Sequence, residues 1–236
     1  MKTILLATLF AAVAAATPVT FSDPWGVGAP DVIGLTNLFD IQRIVVDVTE
    51  TGVKTDIYTN YGAGSSIAPY FSGDRWYNIG DLFFTVGGAL KYGVPLYEHA
   101  GSLNGGPSGA AVTAGTVYAI TSAAGAMTAD QALNGHPGWS YRPDEVVLLL
   151  YNHGTLSAQS YGTVTVAAGF DAAHRITVDL PGTASAFYAD LAGDSWGVHF
   201  ASATCGNDVL DGRVPEPATL LLCGLGLVLV GWRRAR

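Results

Sequence analysis

The chain has 236 residues, 49% of them hydrophobic and 13% charged, with 30 glycines and two cysteines. That length suits a single domain with targeting segments at its ends. Between residues 17 and 213 there are 18 acidic and 7 basic side chains, a net charge near −11, which excludes a nucleic-acid partner needing a basic face; two cysteines are too few for a disulfide scaffold.

Lys2 places one positive charge ahead of an apolar run over residues 4–16. The run has the length of a secretory h-region and falls short of the roughly 20 residues of a membrane-spanning helix. It closes on Ala14-Ala15-Ala16, so that Ala14 and Ala16 stand at the two positions where a signal peptidase needs small side chains. Cleavage after Ala16 is expected, with export and a mature chain starting near Thr17. A buried N-terminal helix would leave Lys2 and the small-residue exit unexplained.

No stretch from 17 to 213 carries a long helical apolar period with caps. Short β-branched and aromatic runs alternate instead with Gly, Pro, Asn and Asp, the punctuation of strands and turns. Residues 41–60 read as a hairpin: Ile44, Val46 and Val48 share one face, Glu50-Thr51-Gly52 turns the chain, and Thr55, Ile57 and Thr59 return on one face. Further strands are predicted at 81–86, 94–98, 116–121, 146–151, 163–167, 176–180 and 196–201, and a turn or two of helix at 128–133. Longer loops are expected at 62–77 and 103–115, and the segment 206–216 reads as the exit from the last strand. The expected fold is all-β: one antiparallel sandwich or jelly-roll-like domain over 17–213.

The far end of the sequence has three parts in order: Pro215-Glu216-Pro217, an apolar stretch over 218–232, and Arg233-Arg234-Ala235-Arg236. As a helix the apolar stretch would reach about 23 Å, short of a hydrocarbon core of roughly 30 Å. Arg233, Arg234 and Arg236 would hold the cytoplasmic side, leaving the domain outside, in agreement with the signal peptide.

Residues 214–236 resemble the PEP-CTERM sorting signal. The resemblance implies that Pro215, Glu216 and Pro217 are the motif read by an exosortase-type transpeptidase in an exopolysaccharide-producing Gram-negative envelope. It also implies a transient anchor that is removed on processing, as in other signals whose hydrophobic tail is read and discarded. The alternative is a permanent single-pass anchor. A second resemblance, to an uncharacterised group of PEP-CTERM surface proteins, rests on Gly80-Asp81-Leu82-Phe83-Phe84, Tyr118-Ala119-Ile120, His199-Phe200 and Cys205-Gly206-Asn207-Asp208-Val209-Leu210-Asp211-Gly212. That group brings no chemistry with it.

Candidate chemistry is sparse. Gly62-Ala63-Gly64-Ser65-Ser66 sets its serine directly after a glycine and fails the G-x-S-x-G pattern of a nucleophile elbow. His99, His136, His153, His174 and His199 form no local metal pair and read as partly exposed residues. Glu98 and His99 would point to opposite faces of a strand. Asp81, Glu98, Asp190 and Asp194 are acids with nothing to select a glycosidase pair among them. Asn207, Asp208 and Asp211 place three oxygen side chains in five residues beside Gly212, which suits calcium, although the spacing is not that of an EF-hand and a turn capped by Asn207 and Asp208 is the simpler reading. Cys205 reads as a small buried residue and Cys223 as apolar filler. Trp25, Trp76, Tyr77, Trp139, Tyr141 and Trp196 lie in or beside loops, where flat rings stack on sugars; each is equally suited to core packing.

These readings point to a non-enzymatic exported protein of the envelope, surface or extracellular matrix, with a structural, adhesive or glycan-binding role. Its expected partners are the transpeptidase, the membrane during sorting, and exopolysaccharide or other glycans. The alternative is an envelope enzyme acting on polysaccharide.

Overall fold

A computed structural model describes residues 17–24, 31–33, 36–61, 70–72, 75–135, 140–152, 154–168 and 172–214. Its first strands are β1 (Val19–Ser22), β2 (Ile41–Thr49), β3 (Gly52–Thr59), β4 (Tyr70–Ser72), β5 (Arg75–Tyr77) and β6 (Leu82–Val86). The middle of the chain supplies β7 (Ala89–Val94), β8 (His99–Gly101), β9 (Ser108–Val112), β10 (Thr116–Ile120), β11 (Ala126–Thr128) and β12 (Val146–Leu149). The last are β13 (Leu156–Tyr161), β14 (Thr163–Ala168), β15 (His174–Pro181), β16 (Trp196–Ala201) and β17 (Val209–Val214). Among the described residues three short α-helices join them, α1 (Thr36–Phe39), α2 (Ala129–Leu133) and α3 (Ala186–Gly193), with one 3-10 turn at Ala123–Gly125.

The expected all-β sandwich is present. One sheet runs β1-β2-β3-β15-β14 and the other β13-β10-β7-β6-β16-β17, with every neighbouring pair antiparallel. Period-2 alternation builds the interface between them. Ile44, Val46, Ile57, Ile176 and Val178 of the first sheet meet Leu82, Phe84, Val198, Phe200 and Leu210 of the second in one core. α3 fills the gap at the side: Phe187 packs edge-on against Phe84 and Tyr92, both with ring centroids 5.1 Å apart, while Tyr188 donates to the carbonyl of Thr49 in the opposite sheet.

The predicted hairpin over 41–60 forms as β2 and β3. Other elements differ from the sequence reading. The strand expected at 94–98 instead ends at Val94, because Pro95 has no N–H to give a ladder; its pairing half, β7, comes from 89–94 and folds back on β6 through Gly87-Gly88. Both glycines have positive φ (58° and 81°), the double requirement of a tight hairpin turn. The segment read as an exit contains a full strand, β17, paired over six residues with β16. The second sheet is also covered on its outer face, where Phe83, Tyr118 and Leu156 pack with Val112 of β9 and Leu149 of β12. Every residue of β16 is therefore buried.

Candidate functional site

Three loops converge where β1 ends, β2 begins and β16 turns into β17. The backbone N–H of Asp23 donates to Gln42 O at 3.1 Å, which pins the residue after β1 against β2. The turn between β16 and β17 closes on itself, with Gly206 (φ 60°) making the bend and Ser202 N–H donating to Asp208 O at 2.9 Å. Asn207 ties this turn to residues 31–33: its carbonyl accepts from Ile33 N–H at 2.7 Å, and its amide donates to Ile33 O. Arg142 bridges the same two segments, donating to the carbonyls of Asp31 and of Gly206.

The result is a cluster of carboxylates. Asp23, Asp31 and Asp208 each bring one oxygen within 4.8 Å of the others. Asp208 is fully buried; its Oδ2 accepts from Ile41 N–H at 2.6 Å, while Oδ1 has no hydrogen-bond partner. Asp23 Oδ2 and Asp31 Oδ1 are likewise shut from solvent without a donor. Buried Asp40 stands close enough for its charge to act on the group. Among the described residues no lysine or arginine forms an ion pair with Asp23, Asp31 or Asp208. Burial, then the charges of Asp208, Asp31 and Asp40 and a hydrogen bond with Asp31, push the Asp23 carboxyl up to about 8. Burial and the charges of Asp31 and Asp40 raise Asp208 to about 6 against the N–H of Ile41.

The sequence singled out Asn207 and Asp208 but grouped them with Asp211. The structure separates that trio: Asp211 lies on β17 and accepts from His199 Nδ1 at 2.9 Å, on the way back along the strand. Asp23 and Asp31 were not singled out. Each borders a proline, which reads as turn chemistry, and no local pattern tells that they meet a residue far along the chain.

The described histidines are buried rather than partly exposed. His99 Nε2 lies 3.0 Å from Asp81 Oδ2, under the ring of Tyr97, and the same Asp81 oxygen accepts from Leu149 N–H. His199 is held at both ring nitrogens, by Asp211 and by Val146 O at 2.7 Å. His174 is also buried, on β15, while His136 and His153 lie outside the described residues. Asp81 is buried with His99, whereas Asp211 is exposed and covers His199 from the solvent side. Of the candidate acids, Asp81 is occupied in this way, Asp190 binds Lys91 Nζ at 2.7 Å and Tyr92, and Glu98 and Asp194 are exposed.

At the other end of β17 the strand stops at Val214, and Pro215 follows directly. Residues 213–235 match a family model described as the PEP-CTERM protein-sorting motif. The chain carries a PEP-CTERM sorting signal. It is an exported protein sorted by way of an exosortase-type enzyme, which is its processing partner. No curated protein and no solved structure matches the chain.

In this PEP-CTERM protein the residues of the sorting motif (Pro215, Glu216, Pro217), the basic end (Arg233, Arg234, Arg236) and the signal-peptide exit (Ala14, Ala16) lie outside the described residues. Among the described residues no helix is long and apolar enough to cross a membrane. Cys205 is a buried free thiol, and burial pushes it up to about 12. Two of the aromatic residues considered for sugar stacking are core instead: Tyr77 is buried, and Trp196 is buried against the edge of Phe21. Tyr141 is half-buried and donates to Asp130 Oδ1 at 2.6 Å. Trp25 and Trp139, and the side chain of Trp76, lie outside the described residues.

Proposed function

We propose that this protein is a non-enzymatic β-sandwich displayed in the cell envelope or extracellular matrix, where it has a structural or adhesive role among glycans. The observation that carries the reading is the join at Val214: the last strand runs into the sorting motif with no linker, so the enzyme that reads Pro215-Glu216-Pro217 handles a folded sandwich at its own edge. The net charge near −11 between residues 17 and 213 suits a hydrated, solvent-facing surface.

Intact-mass analysis of the protein from the envelope and medium of its own host tests the reading. The expected mature form starts near Thr17 and ends between Pro215 and Pro217, and is released into, or held by, the matrix fraction. Digestion of that matrix with a polysaccharide lyase is then expected to shift the protein into the soluble fraction. A form that keeps residues 220–236 refutes removal of the tail, and turnover of host exopolysaccharide by the purified protein refutes the non-enzymatic assignment.

A further inference from the structure

We infer that Asp23, Asp31 and Asp208 form a binding site for calcium, which clasps the two sheets together at the base of the last hairpin. The proposal stands on geometry. Two oxygens bound to one calcium ion, each at about 2.4 Å, are at most about 4.8 Å apart, and the three carboxylates each place an oxygen within 4.8 Å of the others. Clustering of acids alone would say little, because exposed acids gather without a ligand. Here Asp208 has no exposure to solvent, and its Oδ1 is unpartnered although Oδ2 is fixed by Ile41 N–H. An ionised oxygen held in that state is strongly disfavoured unless a positive charge meets it.

The guanidinium of Arg142 reaches these loops but forms no ion pair with the three carboxylates. Arg142 spends its donors on the carbonyls of Asp31 and Gly206, and so shapes the loops that carry the carboxylates. Asn207 does the same from the other side through Ile33. The donor set is all hard oxygen, which suits calcium, magnesium or manganese rather than zinc. Magnesium dehydrates reluctantly and keeps most of its waters, whereas calcium accepts several protein carboxylates in irregular geometry. Calcium is therefore the assignment. The competing account is a proton shared between Asp23 and Asp31, consistent with the raised position of Asp23.

The two accounts separate in one experiment on the full-length protein in detergent. Calcium binding is measured by calorimetry at pH 7.5, and thermal unfolding in excess EDTA and in 10 mM calcium. One equivalent is expected to bind with a Kd of about 0.1 mM, the tight end of extracellular sites. At a hundredfold excess over Kd the melting point is expected to rise by about 5–10 °C, with little response to magnesium. Asp23→Asn is expected to abolish binding while leaving the EDTA melting point unchanged or higher, since it removes a repelling charge. Asp31→Asn serves as the second variant should Asp23→Asn fail to fold. No binding by the parent protein overturns the site and leaves the shared proton. Binding that survives in both variants overturns it too, because the ion would then be held elsewhere.

Discussion

The close approach of the first and last strands can be tested by a double-mutant cycle. A Cβ added to Gly212 of β17 would stand 2.1 Å from Cδ1 and 2.4 Å from Cγ of Phe21, which belongs to β1 in the other sheet. Side chains do not tolerate such contacts, so Gly212→Ala must displace the Phe21 ring from its edge-on packing against Trp196, where the centroids are 6.1 Å apart. Forced overpacking of this kind costs about 1–3 kcal/mol. Phe21→Ala alone removes a half-buried ring, worth about 2 kcal/mol, or half the cost of a fully buried phenylalanine. With the ring gone, the methyl group at position 212 has room. The double variant is then expected to be about as stable as Phe21→Ala, a coupling of about 1–3 kcal/mol. Urea unfolding of the four proteins measures it, and in melting experiments each kcal/mol moves the midpoint by about 2–4 °C for a domain of this size. Costs that simply add, within about 0.5 kcal/mol, would refute the contact between the two strands.

Two more outcomes follow from buried groups. His199 is opposed by burial but held charged by Asp211 and the carbonyl of Val146, so its pKa is raised; a raised folded value means that its contribution is full below about pH 6.5 and is lost as pH climbs through the folded value. His199→Gln is expected to flatten that part of the stability profile between pH 5.5 and 8.5, measured by urea midpoints in 10 mM calcium, and parallel profiles for variant and parent would count against it. Cys205, buried with its thiol pushed up to about 12, is expected to resist iodoacetamide in the native protein and to label fully after unfolding. Peptide mass mapping reads this out, and rapid native labelling would show that the turn opens.

The strands that could be read in the sequence are of two kinds: those whose burial follows the pleat, and the apolar runs of β6, β10, β12 and β16, which match the stretches expected at 81–86, 116–121, 146–151 and 196–201 although they are largely buried on both faces. β2, β3 and β15 alternate and lie within a few residues of the expected strands, because one face of each meets the core; β14 alternates in sequence, but Val164 packs against the core while Val166 is exposed. β17 did not read as a strand because Gly212 interrupts it, and the structure supplies the reason in the ring of Phe21. Gly87-Gly88 encodes the hairpin of β6 and β7, but the apolar segment after it carries the stronger strand pattern, and there Leu96 is buried without a strand ladder. α3 carried its start in Ser185, whose side chain accepts from Tyr188 N–H, but eight residues give too short a period to register. For the acidic cluster only Asn207 and Asp208 were visible. Asp23 and Asp31 join them through contacts across the chain that no local pattern encodes.

The place of β17 decides how a pull on the sorted end would travel. A force applied to the sequence after β17 would enter the described fold at Val214, at the outer edge of a sheet. Drawn along its own axis, the strand shares that force over all its pairings with β16, from Trp196–Val214 to Ala201–Val209; drawn sideways, it parts from them one at a time. Behind the last pairing sits Asp208, bonded to Ile41 in the opposite sheet. A load that survives the strand would be passed to both layers at once, so the fold resists best a pull directed in line with the strand.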